Sequence, residues 1–193
     1  MHIADGVLGF EATAVVSVIS VIALIKAIKE LKNEDISITA VCSAMFFIAS
    51  FIHIPFGVTQ IHLILLGVIG ILISSAIFVA LLLQALLLGY GGISSLSVNL
   101  FIMAMPSVIV YYLYNLQIVK KLSDKIRFFL VGFLGTFFAT LFLTLILYFS
   151  KQEYDYAAFS IFTINIITMV IEAIVSMFLL LFIKKVYPKI LKV

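Results

Sequence analysis

The chain has 193 residues, 65% hydrophobic and 11% charged, with a mean hydropathy of +1.33. No soluble core of this size hides so much apolar surface, so the composition points to a polytopic membrane protein, a single integral-membrane domain over residues 1–193. The formal charge of +3 is not a nucleic-acid signal, because the basic residues fall between apolar segments; the one cysteine, Cys42, sits in an apolar run and reads as a packed thiol.

The chain opens Met1-His2-Ile3-Ala4-Asp5-Gly6 and enters an apolar segment almost at once. A free amine, the first peptide nitrogen and an imidazole stand side by side there and can close two fused chelate rings on one metal ion. His2 is bulky, and removal of a start methionine needs a small second residue, so Met1 is expected to stay. The stretch does not read as a cleaved signal peptide. It lacks a basic n-region, carries Asp5 and Glu11, and its apolar run from Val15 to Ile25 meets lysines rather than a small-residue cleavage site.

Apolar segments run roughly Gly6–Ile25, Ile36–Ile54, His62–Leu88, Asn99–Leu116, Phe128–Phe149 and Phe159–Ile183. Most have the length of about 20 residues that spans hydrocarbon. Lys26, Lys29 and Lys32 follow the first; Lys120, Lys121, Lys125 and Arg127 precede the fifth; Lys184, Lys185, Lys189 and Lys192 close the chain. The positive-inside rule makes all three clusters cytoplasmic, with the N-terminus outside and the C-terminus inside a cytoplasmic membrane. Two inside loops are joined by an even number of crossings, yet three segments lie between Lys32 and Lys120. His62–Leu88, at about 1.5 Å per residue, is long for one tilted helix. Two short helices breaking near Ser74 resolve the conflict. The fold class expected is therefore all-α, a transmembrane bundle of about seven helices, with the loops Pro55–Ile61 and Gly89–Val98 on the same side as His2.

Charged and imidazole groups at membrane depth are expensive and need a partner or a purpose. His62 stands at the outer start of a helix, where it either caps that helix or offers a metal a nitrogen. His53, before Pro55, reads as structural. Gln84 is expected to make an interhelical hydrogen bond. Glu172 is either an ion or proton site or a charge near the inner interface. The glycine- and serine-rich Gly89–Asn99 is an ordinary loop or a lining over a polar site.

Three motifs in order, Met-His-Ile-x-Asp-Gly at the start, Gly-x-Thr-x-x-His-Leu over Gly57–Leu63, and Gln84-Ala85-Leu86-x-x-Gly89-x-Gly91-Gly92 followed by Asn99 and Met103, resemble the CbiM/NikM family. These are substrate-binding membrane subunits of energy-coupling factor (ECF) transporters for cobalt and nickel. The resemblance covers residues 1 to about 105. It implies a seven-helix protein whose N-terminus is inserted into the bundle from the outer side. There the Met1 amine, the His2 amide and imidazole, and His62 hold the ion, with Asp5 and Asn99 as supporting neighbours. It also implies partners: ATPase subunits of the CbiO/NikO type, a coupling subunit of the CbiQ/NikQ type and a small CbiN-type subunit. Where the family has a Gly-Pro-Trp break, this chain has Ile73-Ser74-Ser75-Ala76, and Tyr90 stands where the family often has His or Asp.

Four nitrogens in one plane suit Ni(II) or Cu(II), and cobalt is accommodated as well; the bound Co(II) or Ni(II) would be cargo, and no cofactor is expected. The chain holds no Gly-x-x-x-x-Gly-Lys-Ser/Thr phosphate loop, so ATP hydrolysis is expected elsewhere. Ala40 and Ala44 form a small-x-x-x-small face, a candidate contact for the coupling subunit. The competing reading is an intramembrane metalloenzyme using His53, His62 and Glu172, against which stands the absence of a His-Glu-x-x-His pair.

Overall fold

The computed structural model describes residues 3, 6–56, 59–89, 92–150 and 155–191, with the backbone alone for 53–56, 59–62, 88, 155 and 157. It is a polytopic helical bundle. Its elements are α1 (Phe10–Glu30), α2 (Asn33–Phe51), a hairpin of β1 (His53–Phe56) and β2 (Thr59–His62), α3 (Leu66–Ile73), a 3-10 turn (Ser74–Ala76), α4 (Ile77–Leu88), α5 (Leu96–Tyr114), the short α6 (Gln117–Lys120), α7 (Asp124–Ser150) and α8 (Asp155–Val186), closed by a 3-10 turn at Pro188–Leu191. Among the described residues, six stretches are long and apolar enough to cross a membrane. Large hydrophobic side chains such as Ile22, Val41, Phe149 and Phe178 point outward, as expected where lipid is the solvent.

One of those stretches, Leu66–Leu87, is not a single rod. Gly70 of α3 packs on the backbone of Ser107 in α5. Ser74 and Ser75 then lie beside Glu30, Asp35 and Tyr111, where α1 and α5 end and α2 begins. From there α4 climbs back, and the Ala80 carbonyl accepts a hydrogen bond from Ser43 Oγ, well inside α2. The reversal turns on Ser74, which adopts φ 49° and ψ −126° without being glycine. α3 and α4 are thus two short helices, and they break at the expected serine.

The basic clusters share one end of the molecule. Tyr111 of α5 borders the same cavity as Ala27 and Leu31 of α1. Arg127 at the start of α7 donates to the Tyr114 carbonyl at the end of α5, and Lys184 of α8 pairs with Asp124 of α7 at 2.6 Å. Arg127 is itself buried, with its guanidinium carbon 3.6 Å from the centre of the Tyr114 ring. At the opposite end the Gly9 N–H donates to Ser150 Oγ, joining the start of α1 to the end of α7.

The loop expected at Pro55–Ile61 is instead a β-hairpin, pairing His53 with His62 and Ile54 with Ile61. Ile54, Phe56, Thr59 and Ile61 favour extended backbone, and the ladder satisfies amides that an irregular loop would leave bare.

Candidate metal site

Two segments far apart in the chain run buried inside the bundle. The first is the N-terminal one. Ile3 is 5% exposed, and both its backbone groups are taken by one side chain: its N–H donates to Asn99 Oδ1 at 2.8 Å and its carbonyl accepts from Asn99 Nδ2 at 2.9 Å. A primary amide paired in this two-point way imitates a neighbouring β-strand. Asn99 is buried and steadied by Ser95, whose Oγ lies 3.3 Å from Asn99 Nδ2.

The contact fixes the depth. Ser17 of α1 shares a hydrogen bond with Ser97 of α5, so α5 begins beside the seventh residue after Phe10. That is about 10 Å below the start of α1 at 1.5 Å per residue, and Ile3 lies deeper still, level with Asn99. The chain dips into the bundle at residue 3, turns at Gly6 (φ 81°), and re-emerges before α1. A cavity of about 120 Å³ lies at the opposite end beside Ser74, while one of about 230 Å³ borders the N-terminal segment, lined by Gly6, Leu8, Thr13, Ser94 and Ser95. The glycine- and serine-rich loop therefore lines the N-terminal segment instead of standing free.

The second segment leads from β2 into α3. After His62 the chain is buried at every residue from Leu63 to Ile73. The N–H groups of Ile64 and Leu65 both donate to the carboxylate of Glu172 in α8; from Leu65 the distances are 3.1 Å to Oε2 and 3.3 Å to Oε1. Leu65 has left-handed backbone (φ 53°, ψ 25°), which costs a branched residue about 1–2 kcal/mol. It opens α3 with no side-chain cap of its own. Glu172 is 1% exposed and sits midway along α8, not near the inner interface.

Glycines let the helices close on this junction. A Cβ on Gly67 would collide with the Val131 backbone of α7, one on Gly135 would lie 2.7 Å from the Gly67 nitrogen, and one on Gly132 would lie 2.5 Å from the Glu172 carbonyl oxygen. α7 is notched so that α3 fits against one side and α8 against the other.

Of the residues expected at the site, Met1, His2 and Asp5 lie outside the described residues, as does Tyr90; His62 is described by its backbone in β2 and Asn99 in full. Asn99, expected beside the ion, holds the backbone of Ile3. Glu172, read from the sequence as an ion or proton site or as a charge near the inner interface, spends its carboxylate on the backbone amides of Ile64 and Leu65. Gln84 departs from expectation, since its buried Nε2 has no partner among the described residues. Ala40 and Ala44 are exposed on α2, away from the core. Cys42 is free and buried.

A notched helical bundle with several stretches long and apolar enough to cross a membrane defines a polytopic membrane protein. The family model for the cobalt uptake substrate-specific transmembrane region matches residues 2–190, and the chain belongs to this family, CbiM. A protein of Haemophilus influenzae whose name assigns it to metal transport is 29% identical over 199 residues, covering 99% of this chain and 97% of that one. Two crystal structures of a transition metal transporter, one truncated, superpose with TM-scores of 0.73 at 26% identity; each covers 96% of this chain, which spans 99% of the truncated form and 93% of the other. The chain is a transmembrane component of metal uptake and not an enzyme.

Proposed function

We propose that this protein captures Co(II) or Ni(II) for an ECF-type importer, holding the ion with the Met1 amine, the His2 amide and imidazole, and His62. The observation that carries the reading is the pairing of Ile3 with Asn99. It holds the backbone two residues from the amine and one from His2 about 10 Å or more inside the bundle. The second support is the path of the chain beyond His62, buried and anchored at Ile64 and Leu65.

The chemistry follows from the donors. An amine and an ionised amide bind only after losing protons, so capture releases protons and weakens as pH falls. Planar nitrogen donors favour Ni(II) and Cu(II) over Zn(II), which prefers a tetrahedron. The ion enters from the outer face and passes inward with ATPase subunits of the CbiO/NikO type and a CbiQ/NikQ-type coupling subunit, with a small CbiN-type subunit assisting. The exposed Ala40 and Ala44 offer α2 a face for close helix contact with the coupling subunit.

Equilibrium dialysis of the purified full chain against Ni(II) and Co(II) tests the reading. Tight binding is expected for the native chain and lost in His2→Ala, in His62→Ala, and on blocking the terminal amine with a tag. A tagged chain that binds as tightly as the native one overturns it.

A further inference from the structure

We propose that Glu172 is a positioning residue for the metal site, fixing from across the bundle the backbone path by which the chain leaves His62 and enters α3; the inference rests on the function proposed above. Two independent observations carry it. The carboxylate takes the amides of residues 64 and 65, two and three positions beyond His62, although it lies 107 and 108 residues away in sequence. The residue it grips, Leu65, holds a costly left-handed backbone that reverses the chain from the extended β2 into α3. A conformation of that kind persists only where its surroundings dictate it, and such residues gather at functional sites.

Mere helix capping does not call for this arrangement. A capping side chain is ordinarily supplied by the residue at the helix start, where Ser, Thr, Asp or Asn serves. Here that position is Leu65, and the cap comes from α8. Among the described residues no lysine or arginine pairs with Glu172, so its compensation is the two amides and the positive end of α3. The notch at Gly132 brings the α8 backbone against α7 at Glu172 itself, and Gly67 and Gly135 seat α3 on the same helix. The segment carrying His62 is therefore referenced to two long helices instead of to its own loop.

The test is Ni(II) affinity, measured by competition on the full-length chain in detergent. It compares the native protein with Glu172→Gln, Glu172→Ala, His62→Ala and the Glu172→Ala/His62→Ala pair. Groups that orient a ligand change metal affinity by about 10- to 100-fold. Glu172→Ala is expected to weaken binding by that factor and to shift the Ni(II) d–d absorption toward that of His62→Ala. Glu172→Gln, which keeps one acceptor oxygen, falls between. Amide exchange over residues 63–66 is expected to quicken in Glu172→Ala. In the His62→Ala background, where the terminal nitrogens leave a weaker but measurable site, removing Glu172 is expected to change nothing further. Native affinity in Glu172→Ala, or losses that multiply in the double variant, overturns the positioning role while leaving the site intact. Native affinity in His62→Ala overturns the site itself, and the positioning role with it. If Glu172→Ala fails to fold, the Gln variant's affinity and spectrum decide.

Discussion

Asn99 does more with one side chain than its neighbours in α5. Its amide closes a two-point pair with Ile3 in a buried setting, and each such bond contributes about 0.5–1.5 kcal/mol net. Asn99→Asp keeps the acceptor facing the Ile3 N–H but sets a second oxygen against the Ile3 carbonyl. We expect Asn99→Ala and Asn99→Asp both to weaken Ni(II) binding by about 10- to 100-fold, the aspartate more, with the melting temperature in detergent changed by only a few degrees. Isothermal titration and a thermal melt check the two halves of that expectation. Asn99 itself was legible from the motif. Its partner was not, because nothing local marks Ile3 as the residue it holds. Glu172 shows the same limit. A lone carboxylate in an apolar run signals a purpose, but the amides it serves belong to a segment that only the fold brings near.

Among the elements, the α3–α4 pair was the most legible and the β-hairpin the least. Lysine clusters on two loops demanded an even number of crossings, and the length of His62–Leu88 left one place to find the extra one. The hairpin escaped notice because Pro55 and Gly57 read as loop punctuation, while the alternation of Ile54, Phe56, Thr59 and Ile61 spans too few residues to stand out. α3 is short, and its stability lies in its fit to α7. Gly67→Ala would drive a methyl group into the Val131 backbone, which cannot yield as a side-chain tip would. Overpacking of this kind costs about 1–3 kcal/mol or more. We expect Gly67→Ala to lower the melting temperature clearly more than Gly89→Ala, where a Cβ meets no neighbour and only the left-handed φ of 63° objects. Differential scanning calorimetry of the two variants in one detergent makes the comparison.

For the whole molecule, the reversal at Ser74 predicts sidedness. The native thiol is buried and free, so introduced cysteines report without a competing signal. An impermeant maleimide is expected to label Ser75→Cys and Lys120→Cys from one face of the membrane and Ile93→Cys from the other. Labelling of residues 75 and 93 from the same face would remove the reversal and with it the expectation of a seventh crossing. The basic end of the bundle, where Lys184 meets Asp124, is the face expected to look inward.

The clasp between Ile3 and Asn99 also sets an order of assembly. Ninety-six positions separate the two, so the stretch around Ile3 leaves the ribosome well ahead of the only side chain that receives both its backbone groups. At about 5–20 residues per second that interval lasts about 5–20 s. Through that time the chain's opening stretch waits without its berth, which is in place only when α5 has been threaded into the lipid.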